Sequence, residues 1–298
     1  MKKLKFFGST IKSLWVRVVK FIVRYAIKIY HWILRKTNII RRELRANLKS
    51  FLIWTISLTG IAYVASMEFV AFRDSPNLME SMQSFVALFE ALGLQITNLS
   101  TPEGFLSFES IYFYIPLGIY AALLGSSLIS KEERDKTAEY LFTLPVTRTK
   151  VLVSKVIVGV FYNIVINVII MAGAMLTYVR FSPEQVFYEF IGYLSIGVIV
   201  TQLIFMSVGM LMASVLKQYK KSGAATLGYV MGSYLLFVLI GFIDQLDFLK
   251  YIIPFKYFEA SDMLTGTFHL EYIIISVVIV ISGITGLFYF YRRRDLYI

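Results

Sequence analysis

Apolar residues in this chain run on for about twenty positions or more at a time, without the short alternation of a half-buried strand. Six such runs stand out, at residues 51–72, 111–129, 151–179, 190–216, 223–243 and 272–291. Each approaches or exceeds the length a helix needs to cross about 30 Å of hydrocarbon. They are too long and continuous for barrel strands, and a helix satisfies its backbone polar groups within itself in lipid. The pattern predicts an all-α membrane protein with six transmembrane helices. The third and fourth runs are overlong, so they tilt or project into water.

Composition agrees: 57% of the 298 residues are hydrophobic and only 16% are charged, with a mean hydropathy of +0.68. The charges are distributed unevenly. Residues 1–49, the second and fourth loops and the C-terminus hold 26 of the 30 Lys and Arg; the other three loops hold four. The positive-inside rule places both termini and the loop between runs two and three in the cytoplasm, as a multi-pass protein of a cytoplasmic membrane. The net charge of +11 is then topology and attraction to an anionic inner leaflet, and calls for no nucleic acid.

Residues 1–49 read as a separate region of basic amphipathic helices, followed by a six-helix domain over 50–298. Arg17, Lys20, Arg24, Lys28, His31 and Arg35 recur at helical spacing, with Leu14, Val18, Ile22, Tyr25, Ile29 and Ile33 between them. A base on every turn makes spanning costly, so this helix lies in the interface, anchored by Arg17, Lys20, Arg24, Lys28 and Arg35. The opening MKKLKFFGSTIKSLWVRVVK lacks the apolar core and cleavage site of a signal peptide and reads as retained. A second short basic helix, NIIRRELRANLKS, leads into run one. In the outer loops, NLMESMQSFVALFEALG and YIIPFKYFEASDMLTGTFHLEY read as short helices capping the membrane face.

Several chemistries are missing. The chain has no cysteine, and His31 and His269 stand far apart, which argues against a thiolate or imidazole metal cluster. There is no Gly-Lys pair, hence no phosphate-cradling Walker loop, and no hydrolase motif. Within the runs the clearest polar residues are Glu68, Asn163, Asn167 and Gln202. Asn163 and Asn167 lie one turn apart, and hydrogen bonds between helices, at roughly 1 kcal/mol each, account for them. Glu68 sits near the outer end of its run with no acid–base set around it, which argues against an ion-driven carrier. Two small-xxx-small stretches, AALLG (121–125) and GYVMG (228–232), offer faces for close helix contact, with Gly228 and Gly232 a packing or dimer face.

The richest polar segment is LISKEERDKTAEYLFTLPVTRTKVLVSKVI, between runs two and three. Its order of acid, Thr, Glu-x-Leu, Pro-Val-Thr-Arg and a later Lys falls on Glu133, Thr137, Glu139, Leu141, Pro145, Val146, Thr147, Arg148 and Lys155. Here the chain resembles the permease subunits of bacterial ABC-2-type ABC transporters, exporters of the peptide or antibiotic type. RRELRANLKSFLIWT, TPEGFL, PFKYF and RRRDL extend the likeness over about residues 38–296.

The resemblance implies that this segment is a coupling helix fitting a cleft on a separate ATP-binding subunit. Glu132, Glu133 and Glu139 then pair with bases on the partner, and Tyr140, Leu141 and Phe142 anchor in its pocket. Thr137 lies in the turn of the motif, Pro145 ends the helix, and Arg148, Lys150 and Lys155 meet the headgroups. It also implies two permease chains, identical or similar, and two ATPase subunits, with spans one, two and five lining the path. This chain is then no enzyme and binds no cofactor; ATP and Mg belong to the partner. The aromatic spans suit an amphipathic or hydrophobic cargo, such as a membrane-active peptide, an antibiotic or a lipid. The rival readings are an ion-driven secondary transporter, a membrane enzyme, and an ATPase-coupled membrane subunit that exports no small cargo.

Overall fold

The structure, a computed structural model, describes residues 38–74, 85–92, 98–135, 147–216 and 218–293. Among these residues the regular structure is helical throughout. The α-helices are α1 (Asn38–Asp74), α2 (Val86–Ala91), α3 (Pro102–Glu109), α4 (Ile111–Arg134), α5 (Arg148–Tyr178), α6 (Gln185–Val215), α7 (Tyr219–Phe242), α8 (Ala260–Leu264) and α9 (Leu270–Arg293). Short 3-10 turns cover Val179–Phe181, Asp244–Ile252 and Pro254–Lys256. Six helices are long and apolar enough to cross a membrane: α1, α4, α5, α6, α7 and α9, spans one to six. They coincide with the six apolar runs, and the protein is an all-α, multi-pass membrane protein.

Two elements differ from expectation. The sequence predicts a short basic helix over 38–50 and a separate first span, whereas the structure joins them in one helix of 37 residues. The stretch contains Gly60 but no proline, so nothing in it stops the helix. The chain divides into two units at Lys49, inside this helix. The second difference concerns residues 102–109, expected in a loop and found as α3. Thr101 caps it, accepting from the Gly104 N–H at 3.3 Å, and Pro102 takes the first turn, where a missing N–H costs nothing.

Span four is the centre of the 50–298 unit, with spans two, three and six against it. Lipid tails are as apolar as leucine, so close contact between helices does the work that exclusion from water does in a soluble core. Glycine permits it: a Cβ on Gly125 of span two would run into the Met206 carbonyl, and one on Gly209 of span four into the Ala122 carbonyl. On the other side, a Cβ on Gly283 of span six would lie 3.0 Å from the Ser207 side chain. The AALLG stretch therefore packs as predicted. GYVMG differs: among the described residues nothing lies within 4 Å of a Cβ at Gly228 or Gly232, so this face packs against none of them. The alternation that turns Val230, Ser233 and Phe237 inward turns Gly228, Met231 and Leu235 outward.

At the end of the bundle away from the 130–150 segment, aromatic rings close the structure. Phe69, Phe105, Phe108, Tyr178, Phe181 and Phe187 stack edge to face or tilted, with centroids 4.8 to 6.2 Å apart in successive pairs. Beneath them Glu109, the last residue of α3, is 2% exposed. Its Oε2 accepts a 3.0 Å hydrogen bond from the Tyr178 hydroxyl. Burial pushes the Glu109 carboxyl up to about 8; Tyr178 opposes the shift and the charge of Glu68 adds to it.

Candidate functional site

The 130–150 segment leaves span two and returns as span three, and the structure describes both of its ends. Span three starts at Arg148 because Thr147 caps it: the Thr147 hydroxyl accepts from the Lys150 N–H at 3.3 Å. About two turns further in, Lys155 is fully buried. Its ammonium donates to Glu132 Oε1 and Oε2, both at 2.7 Å, and to the Leu128 carbonyl. All three ammonium protons thus have acceptors, and the last turn of span two is tied to the first turns of span three.

Further polar contacts spread from this tie. Ser126 Oγ donates to Ser222 Oγ at 3.3 Å, which joins span two to span five. The Arg134 guanidinium lies 5.2 Å from the Tyr219 ring centroid while pairing with Asp135 at 2.7 Å. Arg148 donates to the Arg292 carbonyl at 3.3 Å, and Arg292 donates to Thr149 Oγ1 at 2.8 Å, which joins span three to span six. The two ends of the segment therefore connect, within a turn or two, to spans two, three, five and six.

Of the residues expected to meet an ATPase partner, Glu132 is placed differently. Its carboxylate is 2% exposed and engaged by Lys155, so within this chain it serves the internal tie. The reason is helical phase: Glu132 falls on the face of span two turned toward span three, while its neighbour Glu133 is half-buried and Arg134 exposed. Arg148 is half-buried at the start of span three. Thr137, Glu139, Tyr140, Leu141, Phe142 and Pro145 lie outside the described residues, as do Arg17, Lys20, Arg24, Lys28 and Arg35. The sequence alone places Lys155 at the headgroups. That it is the counter-charge of Glu132 follows only from the packing of two helices whose residues are 23 positions apart.

Glu109 is not legible in the sequence. An acid between Phe108 and Ser110, just ahead of an apolar run, reads as an interfacial residue, and its partner Tyr178 is 69 positions away. Glu68, the acid the sequence singled out, is exposed. Among the described residues no three His, Asp or Glu gather as a metal site.

Comparison with known families places the chain. The model of the family described as "ABC-2 family transporter protein" covers residues 37–296. No curated protein matches the chain.

Proposed function

The chain belongs to the ABC-2 family of transporter proteins, and from that premise we propose that it is one permease of an ATP-driven exporter. As a membrane subunit of this family it is not catalytic, and ATP hydrolysis resides in partner subunits. The 130–150 segment is the contact with an ATP-binding subunit, two copies of which serve two permease chains. ATP and Mg stay with that partner.

The observation that carries this reading is the buried Glu132–Lys155 pair. A short segment moved by a partner drives a transporter only if its ends are rigidly joined to the spans. A desolvated ion pair with every ammonium proton satisfied is a joint of defined geometry. Displacement of the segment then shifts spans two and three together. It reaches span five through Ser126–Ser222 and span six through Arg148–Arg292–Thr149.

The remaining assignments follow. The distribution of Lys and Arg supports a cytoplasmic location for both termini and the segment, in a bacterial cytoplasmic membrane. The open Gly228–Gly232 face of span five suits a second permease chain, with the path between the two subunits. The cargo is amphipathic or hydrophobic, of the membrane-active peptide, antibiotic or lipid class. The basic N-terminal region, with Arg17, Lys20, Arg24, Lys28 and Arg35, lies along the inner leaflet beside the ATPase.

Purification from native membranes in mild detergent, followed by mass spectrometry, tests the core of this reading. A stoichiometric ATP-binding protein is expected, and Glu133→Ala with Leu141→Ala should release it. Recovery of the chain alone, in several detergents and with nucleotide present, would overturn the assignment.

A further inference from the structure

Spans three and four meet along a seam that is polar at mid-membrane. Span three brings Asn163 and Asn167, one turn apart; span four brings Ser195, Gln202 and Met206, spaced by seven and four residues and so on one face. Asn163, Asn167, Gln202 and Met206 are all fully buried. Two contacts bridge the seam: Ser195 Oγ donates to Asn167 Oδ1 at 2.6 Å, and Asn163 Nδ2 donates to Met206 Sδ at 3.1 Å. Gln202 lies between Ser195 and Met206, and therefore opposite the turn from Asn163 to Asn167.

Hydrogen bonds between helices do not account for these residues. Four amide atoms have no hydrogen-bond partner: Asn163 Oδ1, Asn167 Nδ2, and both Oε1 and Nε2 of Gln202. Turning an amide over changes which atom is left, without reducing the number. A carboxamide bare in a low-dielectric interior is costly, and three on one seam are the opposite of what span packing favours. The atoms left over are two carbonyl oxygens and two NH2 groups. A cation would meet the NH2 groups and an anion the carbonyls. A small neutral molecule that both donates and accepts satisfies all of them.

We infer that this seam holds ordered water, bound by Gln202 together with Asn163 and Asn167. Water fits a polar site that offers two to four partners, and it lets amides exchange partners as helices shift. The contrast with the neighbouring seam gives the site a role. Spans two and four touch backbone to backbone at Gly125 and Gly209, which leaves no room for sliding. Span three rests on span four over a hydrated joint, and span three starts beside the segment that receives the partner's push. That mechanical role rests on the permease reading; the water site does not.

X-ray radiolytic labelling of the full chain in native-lipid nanodiscs tests it, because a bound water generates hydroxyl radical in place. Met206 is expected to oxidise several-fold faster than Met263, which is buried to a similar degree near the outer cap. In Gln202→Leu/Asn163→Leu the Met206 rate should fall to that of Met263; Gln202→Met serves if the double variant is not recovered. An inert Met206 in the wild type, or labelling that survives both variants, overturns the site. The same variants should retain the ATPase partner but slow ATP turnover of the complex several-fold; unchanged turnover overturns the joint. A wild-type chain that binds no ATPase sinks the permease reading and leaves the labelling result standing.

Discussion

Glu132 and Lys155, 23 positions apart, close an ion pair in which both carboxylate oxygens lie 2.7 Å from the ammonium nitrogen, and neither side chain is more than 2% exposed. A pair so deeply desolvated contributes little net stability, because removing both charges from water offsets their attraction. Breaking it is another matter. Glu132→Gln or Lys155→Met removes one charge of the buried pair and leaves the other, with an expected loss of about 3–5 kcal/mol. Glu132→Leu combined with Lys155→Met should recover most of it. Thermal unfolding of the purified chain in detergent reads both, and a double variant as unstable as the singles would refute this account.

The two glycine faces should respond in opposite ways. Gly125→Val or Gly209→Val forces apart backbones that now touch, and a loss of folded, monodisperse protein on size exclusion is expected. Gly228→Ala meets nothing among the described residues and removes a poor helix former, for a gain of up to about 1 kcal/mol. If span five also carries the contact with a second permease, Gly228→Leu leaves the monomer fold intact and abolishes cross-linking between chains.

Glu109 makes stability depend on pH in a defined direction. Its folded-state pKa of about 8 lies above its ordinary value of 4.5, because burial disfavours the carboxylate. The folded state thus holds a proton that the unfolded state has released. Its contribution is fully present below about pH 4.5, declines as pH rises, and is lost once pH passes about 8. Tm measured from pH 5 to 9 should fall in the wild type and run flatter in Glu109→Gln. Parallel curves would mean that other groups set the slope.

Orientation can be read from single cysteines, since the chain contains none of its own. Lys150→Cys, exposed at the start of span three, should react with an impermeant maleimide only in inside-out vesicles. Ser100→Cys, exposed just ahead of α3, should react in intact cells. The reverse pattern would overturn the assignment made from the basic residues.

Much of this protein was legible in one dimension. The number of spans, their helical nature and the absence of a nucleotide-binding motif are properties of continuous stretches, and a bilayer reads them the same way whatever the helices later do. The likeness carried by the 130–150 segment was legible too, because it depends on order along the chain. Tertiary packing decided how each helix is rotated about its axis. That rotation turns Glu132 inward to Lys155 and leaves Glu133 beside it half-buried. It buries the AALLG face against Gly209 and leaves GYVMG without a close neighbour among the described residues. It also lays three carboxamides along one seam with too few partners. A run of apolar residues is nearly symmetric about the helix axis, so the sequence determines that a span forms and only weakly which side faces its neighbours. The choice of side is settled where backbones touch, at Gly125, Gly209 and Gly283, and everything paired across the bundle follows from those contacts.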